Sequence, residues 1–391
     1  MKFVSKSAFT PKSGISINDK TLCTEHINDY AIRENIIKWG YKGICNYCGK
    51  RRTVALYKDI LPFISRGIHH FFGEVEDEGV HYDDEEQEYW GASTYQTDEM
   101  LFDEAGLIVN SQYLIDDLVQ SFGDALWCEK DPYGDRERDI LKYDWKEFKH
   151  VVKHRSRYVF MGSKQFQTGI NGTSVEEILH EIGRRTDQLN LFKWIEPGTK
   201  FYRCRQHTVK AIPTKSKDFT APPEDRAIYP NRMSPAGIPM FYAAFDKGTA
   251  FLETFDKTSP LKNRMSTAIF LNKEKLYLLN LADLPKVPSL FDEKLGKYLD
   301  TIIFLHSFVE DLSAPIYKDG REHIDYVPTQ IITEYFRYTF NDLTDIALDG
   351  IIYPSSKNSG KNACVLFFNQ SECLKNLDFK ADLLTKRRIV K

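Results

Sequence analysis

Residues Asn231–Thr254, NRMSPAGIPMFYAAFDKGTAFLET, bring a guanidinium (Arg232), a phenol (Tyr242) and a carboxylate (Glu253) into one short stretch. A guanidinium grips an anion, an aromatic ring stacks on a planar group, and a carboxylate stabilises positive charge that develops nearby. The elements that must position them are legible. Pro235, Gly237 and Pro239 punctuate a rigid loop. Met240–Ala244 is short and apolar and predicts a buried strand. Thr249, after Gly248, reads as a helix start, which puts Glu253 on about the first turn.

A second set is Cys23-x-x-His26, then eighteen residues, then Cys45-x-x-Cys48. Pairs spaced this way can point four ligands at one tetrahedral zinc. Four protein ligands leave no open position, so the expected site is structural. The alternative is four unrelated buried residues, since Cys packs as a small hydrophobe. Residues 27–39 predict a helix between the two pairs.

The chain has 391 residues, 42% hydrophobic and 28% charged, with a net charge of −3. That length suggests two domains or one large one. The charge gives no global pull towards nucleic acid, which is not expected as a partner. No apolar run approaches the ~18–20 residues of a membrane span, and residues 1–14 lack a signal-peptide core. Seven cysteines, an odd number, argue against a disulfide framework and for a cytoplasmic protein.

Residues 1–20 read as a loose polar lead-in. Helical patterns fall at about 54–66, 97–107, 111–122 and 137–156. Glu74–Glu88 carries nine carboxylates and no Lys or Arg, and reads as a solvated loop rather than a metal site. His150 and His154 lie one turn apart without an HExxH pattern, and read as a helix-surface pair. Residues 161–173 form a Gly/Ser/Thr-rich connection, and Thr173-x-x-Glu176 is a capping box for a helix to about Leu191. The boundary is placed near 190–198, giving a mainly helical, zinc-binding domain over 1–195 and a second domain over 196–391. The second half predicts strands at about 200–205, 240–244, 266–271, 276–281, 350–353 and 363–368. Its helices are expected at about 249–256, 291–308 and 328–340, an α+β pattern without a Rossmann glycine motif.

Four blocks carry a family resemblance: Asn231–Thr254, Phe-Tyr-Arg-Cys-Arg at 201–205, Asp-Tyr-Val-Pro-Thr-Gln-x-x-x-Glu at 325–334, and Asp-Gly-Ile-Ile-Tyr-Pro-Ser-Ser at 349–356, followed by Gly360 and Asn362. In order and spacing they resemble the RES (Arg-Glu-Ser) domain of bacterial NAD-degrading toxins, over about 195–375. The first half more weakly resembles the helical extension of larger RES proteins. The resemblance implies the split-sheet fold of ADP-ribosylating toxins, NAD as substrate, and a neutralising antitoxin or immunity protein as partner. It implies Arg203, Tyr242, Glu253 and Ser355 as catalytic residues. Arg203, Arg232, Tyr229, Tyr242 and Asn362 would hold NAD, with Gln330 and Glu334 as scaffolding.

Cleaving the nicotinamide–ribose bond passes through an oxocarbenium-like state. Nicotinamide leaves neutral, so the useful groups are a cationic clamp on the pyrophosphate, an aromatic face and a carboxylate near the ribose. Each has a bland alternative: an ion pair for one arginine, a core aromatic for Tyr242, a solvated helical Glu for Glu253. Ser356 competes with Ser355. The acceptor stays open between water, phosphate and a macromolecule. So do a homo-oligomer and a non-enzymatic zinc-dependent binding protein.

Overall fold

The computed structural model describes residues 16–160, 172–259, 261–315, 320–344 and 347–389. By contacts the chain forms two compact units: Met1–Glu137 with Pro285–Ile303, and Arg138–Leu284 with Phe304–Lys391. This partition differs from a boundary near 195. The helix Glu137–His154 commits Leu141, Trp145, Phe148 and Val152, at helical spacing, to the core of the second unit.

The second unit is built on a nine-stranded sheet: β1 (Phe192–Ile195), β2 (Lys200–His207), β3 (Phe241–Ala244), β4 (Arg264–Asn272), β5 (Leu276–Asn280), β6 (Gly350–Pro354), β7 (Asn362–Leu366), β8 (Leu377–Phe379) and β9 (Thr385–Arg388). Its order is β8-β4-β2-β3-β7-β6-β5-β1, with β9 also paired to β4. Only β5 and β6 run parallel. Alternation gives the sheet two apolar faces. Ile351, Tyr353 and Val365 join a core under the helices Val175–Gln188, Leu299–Ser313 and Val327–Glu334. Ile352, Cys364 and Leu366 join Phe201, Phe241 and Phe270 in another. Each fully buried Phe contributes about 1.5–3 kcal/mol. Gly350 is required where β6 meets β7, since an added Cβ would lie 2.2 Å from the Val365 carbonyl.

All six strands expected in the second half are present, within a mixed α+β architecture. The strand β1, the helix Gln370–Asn376 and the strands β8 and β9 were not foreseen. Three helix starts differ. Asp246 caps the helix Lys247–Thr254 by accepting from Thr249 N–H at 2.9 Å, so Glu253 falls on the last turn, not the first. The capping box is Ser174 with Glu177, one residue on from Thr173 and Glu176. Residues 291–298 are turns and a 3-10 segment, and the α-helix there begins at Leu299.

The first unit, expected to be mainly helical, also carries sheets. Thr21–Cys23, Arg51–Leu56 and Tyr41–Ile44 form an antiparallel sheet with Arg51–Leu56 central. Phe72–Glu74, Trp127–Glu129 and Thr94–Tyr95 form another. The helices Tyr30–Lys38, Tyr57–Phe71 and Gln112–Phe122 pack Ile32, Ile36, Ile60, Ile64, Leu114 and Leu118 into one core. The helix expected from residue 54 starts at Tyr57, because Val54–Leu56 finish a strand. Glu74–Glu88 is mostly exposed and closes a short hairpin, and His150 and His154 are an exposed pair. The lead-in over residues 1–15 and the connection over 161–171 lie outside the described residues. Among the described residues no helix is long and apolar enough to cross a membrane.

Candidate functional site

A cavity of about 700 Å³ opens in the second unit beside β2 and β3. On β2, strand alternation puts Arg203 and Arg205 on one face, and both line it. Arg203 Nη1 donates to the Tyr242 carbonyl, and its guanidinium lies 5.1 Å from the Phe241 ring centroid. Burial, aided by Arg205, brings the Arg203 pKa down to about 10, so it stays a cation at neutral pH. Burial also lowers that of Arg205. Six cations line the cavity, Arg203, Arg205, Arg226, Arg232, Lys262 and Lys357, against the carboxylates Glu253 and Asp256. The cavity thus favours an anionic ligand.

Glu253 reaches this wall from the end of its helix. Ser355, just past β6, donates its hydroxyl to Glu253 Oε1 at 2.5 Å. Ser355 Oγ accepts from Lys357 N–H at 3.3 Å and Asn358 N–H at 3.1 Å. With its lone pairs facing two amides, its proton is committed to the carboxylate. Asn358 clips this loop to the helix start by donating to Thr249 Oγ1 at 2.7 Å. Ser356 is exposed and lines the cavity without a bond to Glu253 among the described residues.

The loop before β3 forms another wall. Gly237 has φ +88°, a left-handed conformation that suits glycine, and its N–H donates to the Ala227 carbonyl at 2.7 Å. Arg232 donates to the Leu312 carbonyl at 2.5 Å and the Ala314 carbonyl at 2.8 Å. Thr329 donates to the Arg232 carbonyl, and Gln330 to the carbonyls of Asn231 at 2.9 Å and Ser234 at 3.3 Å. The Tyr242 hydroxyl lies 2.9 Å from Ser234 Oγ and accepts from Met233 N–H at 3.3 Å. Burial pushes it up to about 12, so it remains a neutral phenol.

In the first unit, Cys23, His26, Cys45 and Cys48 place their ligand atoms within 4.8 Å of one another. Tetrahedral thiolates about 2.3 Å from zinc would sit about 3.8 Å apart, and Cys23 Sγ lies 3.9 Å from Cys48 Sγ. His26 Nδ1 faces Asn110 Oδ1 at 3.3 Å, while its buried Nε2 has no hydrogen-bond partner among the described residues. A histidine held at one nitrogen with the other free among thiols fits a zinc ligand set.

Residues 200–382 match the family model of the RES domain, and residues 38–166 match that of HEPN/RES N-terminal domain 1. The chain carries a RES domain. No curated protein and no solved structure matches it. The matched RES residues include every residue that lines the cavity, from Tyr202 to Ala363, and also Ser355. Residues 38–166 take in Cys45 and Cys48 but begin after Cys23 and His26.

Of the residues assigned from sequence, the RES domain brings Arg203, Arg232, Tyr242 and Glu253 to one cavity and joins Ser355 to Glu253. Tyr229 lies on the rim, 76% exposed. Asn362 starts β7 opposite Pro354 and is not among the lining residues. Gln330 ties the loop as expected of scaffolding. Glu334 does not line the cavity, and burial raises its carboxyl pKa. The sequence reading passed over Arg205, Arg226, Lys262, Lys357 and Tyr353. Only Arg205 left a signal, two positions along a strand from Arg203. Among the described residues five buried side-chain polar atoms lack a hydrogen-bond partner. Arg203 Nε, Arg205 Nε and Ser313 Oγ belong to residues lining the cavity, and His26 Nε2 to the Cys/His cluster.

Proposed function

We propose that the RES domain cleaves the nicotinamide–ribose bond of NAD. The observation that supports this most is Glu253, its carboxylate fixed by Ser355, on the wall of a cavity rich in cations. The pyrophosphate would lie against Arg203, Arg205 and Arg232, and the nicotinamide ribose against Glu253. The bond from the ribose C1′ to nitrogen breaks, and its electron pair leaves with neutral nicotinamide. Glu253 faces the cation left on the ribose. Because Ser355 donates to Oε1, the carboxylate is held in place and needs no reorganisation as charge develops. An acceptor oxygen then bonds to C1′ and loses its proton to solvent. Depleting NAD would halt growth, so a neutralising partner belongs with this reading.

In the first unit the four Cys/His ligands would hold one structural zinc. With four protein ligands it supplies folding energy rather than an activated water.

The test is incubation of the full chain with NAD radiolabelled in the adenylate half, with and without phosphate. We expect free nicotinamide and a small labelled ADP-ribose product. Unchanged NAD, or label carried on a macromolecule, would overturn the reading.

A further inference from the structure

The net charge of −3 hides a local asymmetry. Residues 35–58 hold six Lys or Arg and no carboxylate, whereas residues 74–88 hold nine carboxylates and no Lys or Arg. Within the basic segment Lys38, Lys42, Lys50 and Arg51 are exposed, and none is in an ion pair among the described residues. Arg52 is paired with Glu25 at 3.1 Å and Lys58 with Asp19 at 3.9 Å.

The same segment exposes large apolar side chains: Ile37 61%, Trp39 60%, Tyr41 50% and Ile44 62%. Such a run of exposed apolar residues marks an interaction surface more often than chance. Tyr41–Ile44 is an edge strand of its sheet, so nothing else in that sheet covers it. The Tyr41 ring is backed by Gly43, where an added Cβ would sit 3.1 Å from Tyr41 Cε2. Lys38 Nζ lies 5.6 Å from the Trp39 ring centroid, and Lys42 Nζ donates to Thr53 Oγ1 at 3.2 Å.

We propose that this edge, Lys38 to Arg51, is a docking strip for single-stranded nucleic acid. Cations spaced along it would neutralise successive phosphates, and the exposed Trp39 and Tyr41 rings would stack on bases. Charge complementarity selects a polyanion, and two exposed aromatic rings select one that carries flat bases. A duplex hides those bases, and an acidic peptide offers nothing flat to stack.

The test is fluorescence anisotropy of the full chain with labelled oligouridylate and oligothymidylate, which also separates RNA from DNA. Four phosphate contacts give a slope of log affinity against log salt of about −3, since each contributes about −0.7 on a single strand. Lys42→Ala should flatten that slope by about 0.7. Trp39→Ala and Tyr41→Ala should each weaken binding at least about fivefold. Arg51→Glu should weaken it further while the melting temperature and NAD turnover stay unchanged. Lys257→Glu, elsewhere on the surface, serves as a charge control. The proposal is overturned by absence of binding at low salt. Equal affinity for duplex, polyglutamate or anionic vesicles would overturn it too, as would binding indifferent to Trp39 and Tyr41 in folded variants.

Discussion

The RES cavity and the Cys/His cluster share one feature and differ in another. Among the described residues both leave buried polar atoms without hydrogen-bond partners, Arg203 Nε, Arg205 Nε and Ser313 Oγ in one and His26 Nε2 in the other. A buried unpaired polar group costs about 1–3 kcal/mol, so such atoms concentrate where something else completes them. The residues that carry them in the cavity line about 700 Å³ of space, room for an exchangeable ligand. In the cluster the ligand atoms close to within 4.8 Å, room for one ion only. Open space beside such atoms fits a ligand that exchanges, and a closed knot around one fits a metal ion.

If that contrast holds, perturbing each region should move a different observable. The largest effect is expected from removing metal. Structural zinc contributes on the order of 10 kcal/mol to small zinc domains. A chelator strong enough to strip it should sharply lower the melting temperature of the first unit. Elemental analysis should find one zinc per chain, and finding none would remove the cluster from the comparison. Next is Glu253→Gln, which keeps shape and loses the charge facing the ribose. Turnover should fall about 10²–10³-fold with little change in melting temperature.

A smaller effect is expected from the clamp. Arg203→Lys keeps charge but loses the planar fork and its bond to the Tyr242 carbonyl. NAD affinity should fall about tenfold, about 1.4 kcal/mol. Arg232→Lys sharpens the picture. Its guanidinium already serves two carbonyls, so its loss should also lower the melting temperature. Unchanged calorimetric affinity in both variants would remove both from the pyrophosphate site. The smallest effect is Tyr242→Phe, which deletes a hydroxyl bonded to Ser234 and Met233. About 1 kcal/mol of stability should go, a melting shift of about 2–4 °C. A shift several times larger would make Tyr242 a keystone of the loop.

Several strands of the second unit were legible because they are apolar runs beside Gly or Pro, as β3 after Pro239 and β6 from Gly350 to Pro354. The helix start at Asp246 was misplaced because Asp246 and Thr249 both have capping side chains. The fold uses Asp246, with Thr249 N–H as donor. The same ambiguity set Thr173 against Ser174. The sheets of the first unit were missed because their strands are two to six residues long, too short for a periodic signal. β9, Thr-Lys-Arg-Arg, is fully exposed and reads as a charged tail. Arg205 was legible in principle, since period-two alternation places it beside Arg203. Arg226, Lys262 and Lys357 come from loops whose path only the folded chain defines. The bond between Ser355 and Glu253 joins residues 102 positions apart, a pairing that only the folded chain brings together.

The central claim is that a carboxylate in a cationic cavity cleaves NAD. It is tested most directly by measuring nicotinamide released from NAD by the wild-type chain and by folded Glu253→Gln, each loaded with zinc. The account predicts steady release from the wild type and release about 10²–10³-fold slower from the variant. No release from the wild type, or equal release from both, would contradict it.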